Sequence, residues 1–158
     1  MKVELGGVDG FNVTLEVFNK SLRSLIWKEV AGAALRTEAL AKLRCQPNPE
    51  DNGDAELSAD IAAVKQSINH TLDESTLTAR VFAGNTAKDH CAAYLEFGTG
   101  DAAARYVKTL PFEFEALAWQ FYVNGKGTMR EHPFLVPTYL QEGKRFVEKL
   151  KGLKPRIQ

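Results

Sequence analysis

The chain has 158 residues, 44% of them hydrophobic and 25% charged. That length and balance fit a single globular domain with a real core, and exclude a disordered or fibrous chain. Twenty basic and twenty acidic side chains cancel. This removes the cationic excess on which sequence-independent nucleic-acid binding rests, so no specific nucleic-acid partner is expected.

The first residues, Met1 to Val17, lack a basic end followed by an apolar core, and no segment approaches the run of about 20 apolar residues needed to span a membrane. A short strand over Lys2–Leu5 and a turn at Gly6–Gly10 are expected first. From Asn12 to Leu43, apolar residues return every three or four positions (Leu15, Phe18, Leu22, Leu25, Ile26, Val30, Ala33, Leu40). This spacing predicts a long helix with one apolar face and Asn12 as its cap.

Pro47 and Pro49 end that helix, and Asn52-Gly53 favours a turn. A short helix over Ser58–Lys65, capped by Ser58, is expected next. The stretches "SINHTLDE" and "TLTARVFAG" alternate in polarity around Glu74-Ser75 and predict an antiparallel hairpin. A second short helix should run from Asp89 to Phe97 and stop at Gly98, which accepts the left-handed conformation. Beyond it, Pro111 can open a helix and Asn124-Gly125 a hairpin turn. An amphipathic helix over Pro137–Leu150, with a basic tail, closes the chain. The fold class is α+β: a small antiparallel sheet packed with a long N-terminal and a C-terminal helix.

Catalytic constellations are not evident. The histidines His70, His90 and His132 are scattered, and neither they nor Cys45 and Cys91 show the paired short spacing of a structural zinc site. Cys91 lies on the apolar face of its helix beside Ala92 and Leu95, as a buried thiol would. The glycines of "FGTG" and "NGKGT" lack the pattern of a phosphate loop and read as turns. No cofactor, metal or catalytic residue is therefore expected. Glu96 stands apart, because a carboxylate at the C-terminal end of a short helix opposes the macrodipole and calls for a partner. Arg130, Arg105 and the N–H groups near Phe134 are the candidates.

The stretch Tyr94-Leu95-Glu96-Phe97-Gly98-Thr99, followed by Pro133-Phe134-Leu135-Val136-Pro137, resembles the signature of the tail-completion or head-to-tail joining proteins of long-tailed bacteriophages and prophages. Pro47 to Gly53 and Ser67-Ile68 fall in the order that family shows. Gly53 and Ser67 lie further apart than is usual there, Cys91 stands where an aromatic is common, and 101–129 is expected to be an insertion. The resemblance implies a structural, non-enzymatic virion protein assembled in the host cytoplasm. It also implies a homo-oligomeric ring, six copies being common, between a tail tube protein and a head–tail connector protein. A binding or regulatory module of similar α+β layout is the competing reading, and a hydrolase or metal enzyme using His90, Cys91 and Glu96 a third.

Overall fold

The structure, a computed structural model, describes residues 8–51, 53–84, 89–112, 114–115 and 127–154. Among them are five α-helices and one two-stranded antiparallel sheet. The order is α1 (Val8–Arg44), a 3-10 turn (Pro49–Asp51), α2 (Ala55–Ser67), β1 (Asn69–Asp73), β2 (Thr78–Phe82), α3 (Asp89–Phe97), α4 (Gly100–Val107) and α5 (Val136–Lys151). This is an α+β architecture, mostly helical, with the long N-terminal and the C-terminal helix expected from the periodicity.

α1 starts four residues before Asn12, so Asn12 lies inside the helix and does not cap it. The helix runs past its sequence periodicity to Arg44, where Pro47 and Pro49 prevent its continuation. α2 also begins earlier than the Ser58 cap predicts. Asp54 is the cap: its Oδ1 accepts the N–H groups of Glu56 and Leu57, both at 3.0 Å. Ser58 instead sits one turn in, its hydroxyl donating to the Asp54 carbonyl at 2.7 Å. Aspartate wins because its acceptor reaches the second and third helical N–H groups and its charge suits the positive end of the helix. Asp54→Ala should lower unfolding stability by about 1 kcal/mol, and Ser58→Ala by much less. Urea denaturation of the two variants distinguishes the caps.

The hairpin pairs His70 with Val81 and Leu72 with Ala79, which share one face, while Thr71 and Arg80 share the other. Its turn is ordered by Asp73, whose carboxylate accepts from the Ser75 N–H at 2.9 Å and from the hydroxyls of Ser75 and Thr76. α1 carries the sheet: His70 meets Glu38, and Arg23 donates to the Glu74 carbonyl at 3.0 Å.

α1 and α5 pack antiparallel, joined by polar contacts along their length. Lys149 pairs with Glu29 at 3.0 Å, Arg36 with Glu142 at 2.7 Å, and Arg44 donates to Gln141 at 2.6 Å and Thr138 at 3.2 Å. Glu142 is only 2% exposed, so the Arg36 guanidinium offsets the cost of burying it.

Two apolar clusters form the core. The first joins Ala41 and Cys45 of the α1 end to Ile61, Val64 and Ile68 from α2 and its exit, with Ala92, Leu95 and Phe134. The second joins Phe97, Val107 and Val136, with Tyr106, Leu110, Phe114 and Leu140 packed against it. Cys45 is sealed in the first, and its burial pushes the thiol up to about 11. Cys91 is half-buried and packs at the edge of the same cluster.

α4 was not expected. Within 101–129, the expected insertion, Ala102, Ala103 and Val107 are buried on this helix, so the first part of that stretch is helical. Farther on, the N–H groups of Phe114 and Glu115 bond the Pro111 carbonyl at 2.9 and 3.1 Å, as a helix opened by Pro111 requires. The strand expected at Lys2–Leu5 and the turn at Asn124-Gly125 lie outside the described residues.

Candidate functional site: a capped joint between two helices

The residues that carry the sequence resemblance come together at one place. α3 ends at Phe97, and the Gly98 N–H bonds back to the Tyr94 carbonyl at 2.7 Å, closing the helix in the left-handed manner. Gly98 has φ +73°, and a β-carbon there would lie 2.8 Å from the Glu131 nitrogen and 2.9 Å from the Met129 carbonyl oxygen. Both neighbours are backbone, so they cannot swing aside. Thr99 then binds the returning chain twice: its N–H donates to the Met129 carbonyl at 2.9 Å, and its hydroxyl oxygen accepts the Met129 N–H at 2.9 Å. The His132 N–H adds a bond to the Leu95 carbonyl at 2.6 Å.

At the start of α5, the cap position is Leu135, whose side chain can accept nothing. Pro137, in the first turn, brings no N–H of its own. Three open donors at this end are satisfied from 38 to 40 residues upstream. Glu96 Oε2 accepts the Phe134 N–H at 2.9 Å and the Leu135 N–H at 2.8 Å, while Oε1 accepts the Val136 N–H at 3.0 Å. The carboxylate sits where the positive end of the α5 dipole points, which compensates its unfavourable place at the end of α3. The contact expected with the N–H groups near Phe134 is present. Of the other two candidates, Arg130 is turned to Glu50 in an exposed ion pair, and Arg105 is exposed in the last turn of α4.

Alternation explains why the joint is polar inside an apolar core. Leu95 and Phe134 pack into the first cluster, Phe97 and Val136 into the second. Glu96 lies between them in sequence and in space, and is only 4% exposed. Its carboxyl is pushed above the usual glutamate range by burial, against the opposing pull of the three N–H donors and of Arg44. Thr138, fully buried, ties the first turn of α5 further, donating to the Phe134 carbonyl at 2.6 Å and accepting from Arg44. Tyr94 is more than a third exposed on the outer side of α3, and Pro133 is half-buried between His132 and Phe134.

Two features of the joint escaped the sequence. Gly127 passes so close to Thr99 that a β-carbon would sit 2.4 Å from the Thr99 hydroxyl oxygen. His132, 5% exposed, reaches Asp51 of the 3-10 turn at 3.0 Å. Neither is announced by local pattern, since each depends on a segment at least 28 residues away.

Beside the joint, an open, mostly apolar groove of about 1150 Å³ runs between α1, β2, α3 and α5, with Val30, Val81, Phe82, Ala93, Tyr139 and Phe146 on its walls. Its two carboxylates, Glu96 and Glu142, are already bonded within the chain. Among the described residues no group of three His, Cys, Asp or Glu side chains could hold a metal, and no helix is long and apolar enough to cross a membrane. The arrangement is one of fixed geometry: helix ends, turns and buried hydrogen bonds that set the angle between α3 and α5. Compared with models of protein families, with curated proteins and with solved structures, the chain finds no match.

Proposed function

We propose that the chain is a structural protein of a long-tailed bacteriophage virion, acting in tail completion or head-to-tail joining. In this reading it has no enzymatic activity and needs no cofactor. It assembles from the host cytoplasm into a ring of identical copies, six being the expected number, between the tail tube protein and the head–tail connector protein.

The observation that carries the reading is the Glu96 joint. The two stretches that resemble the tail-completion signature, Tyr94–Thr99 and Pro133–Pro137, are separated by 33 residues, yet a single buried carboxylate binds three N–H groups across them. A ring part must present the same surfaces at the same angle in every copy, and buried hydrogen bonds at fixed turns supply that rigidity. The balanced charge suits the same role, since a subunit that must not bind DNA indiscriminately gains from having no cationic excess.

An amber mutation in the encoding phage or prophage tests the reading. DNA replication is expected to proceed, while heads and tails accumulate without joining into infectious particles. Infectious particles at normal titre would overturn the assignment. The isolated protein should sediment as a monomer or weak oligomer, because a ring that closed early would compete with ordered assembly. A tight hexamer at micromolar concentration would contradict that part of the proposal.

A further inference from the structure

We propose that the open edge of β2 takes a short strand, residues 2–5, from a second copy of this chain. In the hairpin β2 uses one edge only, pairing with β1 from Thr78 to Phe82. Among the described residues nothing bonds its other edge. The apolar groove beside the joint runs along that edge. Successive residues of a strand point to opposite faces, yet residues 77–83 all line the groove, while β1 contributes Thr71 alone. α1 supplies Val30, Ala33 and Ala34 to the walls. Phe82 and Tyr139, also in the groove, stay 41% and 56% exposed. An unpaired row of N–H and C=O groups between apolar walls is what strand addition requires.

Lys2, Val3, Glu4 and Leu5 alternate in polarity and suit such a site. With Glu4 opposite Arg80, Val3 and Leu5 fall on the face of Ala79 and Val81, which are half-buried. That face also carries His70 to Glu38 of α1. The match holds whether the added strand runs parallel or antiparallel, because side chains alternate with a period of two. Glu4 then meets the only charged residue of β2, the exposed Arg80, as an opposite-charge cross-strand pair.

The strand of one copy falls short of its own groove. The hairpin turn meets α1 at Arg23, about 22 Å along the helix from Val8, and the first groove residue of α1, Val30, is about 33 Å away. An extended chain from Val8 back to Val3 spans only about 17 Å. α1 therefore carries the segment away from its own groove and toward a neighbour's. An arm on one copy and a groove on the next make a head-to-tail contact, the kind that closes into a ring. The choice of partner rests on the ring of the proposed function. Four residues bind weakly, so copies stay apart when dilute and exchange arms once the tail end holds them side by side.

NMR titration of a peptide of residues 1–8 into the dilute, isotope-labelled full chain tests the site. Amide shifts are expected along Thr78–Phe82, with a Kd of about 1 mM. A Glu4→Lys peptide should bind about threefold more weakly, and Arg80→Glu in the full chain should restore its affinity. In the concentrated full chain, Val3→Ser with Leu5→Ser should abolish protection of the outward β2 amides and leave the amides bonded to Glu96 unchanged. No shift along β2, shifts only elsewhere, or equal affinity of the two peptides would overturn the proposal. So would outward β2 amides already protected in the dilute chain, which would mean that 116–126 of the same copy covers the edge. Absent peptide binding alongside the amber phenotype would sink the arm alone, and peptide binding alongside normal phage titre would sink the phage assignment alone.

Discussion

Replacing Glu96 with alanine should lower unfolding stability by about 4 kcal/mol or more, a drop of about 10 °C in melting temperature for a chain of this length. The loss comes from the donors left behind. Three N–H groups at the start of α5 accept no help from Leu135 or Pro137, and the site is too buried for water to replace the carboxylate. Glu96→Gln should cost only about 1 to 2 kcal/mol at neutral pH, because its carbonyl still accepts while its NH₂ turns a donor toward one N–H. Calorimetry of the three proteins gives the comparison, and equal melting temperatures for wild type and Glu96→Ala would show that the joint holds nothing.

The same pair of proteins carries a pH signature. Burial raises the Glu96 carboxyl above its ordinary value, so the folded state binds its proton more readily than the unfolded chain. Its contribution is then complete below the ordinary glutamate pKa of about 4.3 and shrinks as pH rises through the raised value. The stability difference between wild type and Glu96→Gln should therefore narrow as pH rises. A difference that widens would mean that the three N–H donors and Arg44 outweigh burial.

Gly98→Ala is the second large effect. At φ +73° any side chain is strained, and the new methyl group would sit inside 3 Å of backbone atoms of Met129 and Glu131. The segment 127–132 would have to move, breaking the paired bonds between Thr99 and Met129 and the bond from His132 to Leu95. The expected cost is about 3 kcal/mol or more, measured as a lower urea midpoint at unchanged slope. Gly53→Ala is the internal control: Gly53 also has positive φ, at +74°, but nothing lies within 4 Å of its β-carbon, so only the conformational cost of about 1 kcal/mol applies.

Much of the joint was legible because its signals are local. The apolar spacing of α3, its arrest at Gly98, and a carboxylate stranded at the wrong end of a helix are visible within ten residues, and the last of these names the kind of partner it needs. Pro137 marks the start of α5 in the same way. What was not legible depends on distance or on residues with little pattern. α4 is built on Ala102, Ala103 and Ala104, whose small side chains give a weak periodicity although two of them are buried. Asp54 and Ser58 both suit a cap, and only the helix's actual first turn decides between them. Arg130 looked as suitable for Glu96 as the backbone did, but Glu50, brought close by the 3-10 turn, claims it.

The contacts between α1 and α5 have a mechanical consequence. Glu29–Lys149, Arg36–Glu142 and Arg44–Gln141 are strung along two antiparallel axes, so a pull along α1 loads all three in shear at the same moment. Slipping by one helical turn, about 5.4 Å, would set the buried Glu142 against Gly32 or Leu40 and leave it only the more distant Arg145 of its own helix, at 3.6 Å, as a counterion. A pull at right angles would meet the same contacts one after another, as a zipper opens. The helix pair therefore resists tension along its length far better than peeling, and that length ends at Thr138 and Gln141, in the first turns of the helix that Glu96 caps.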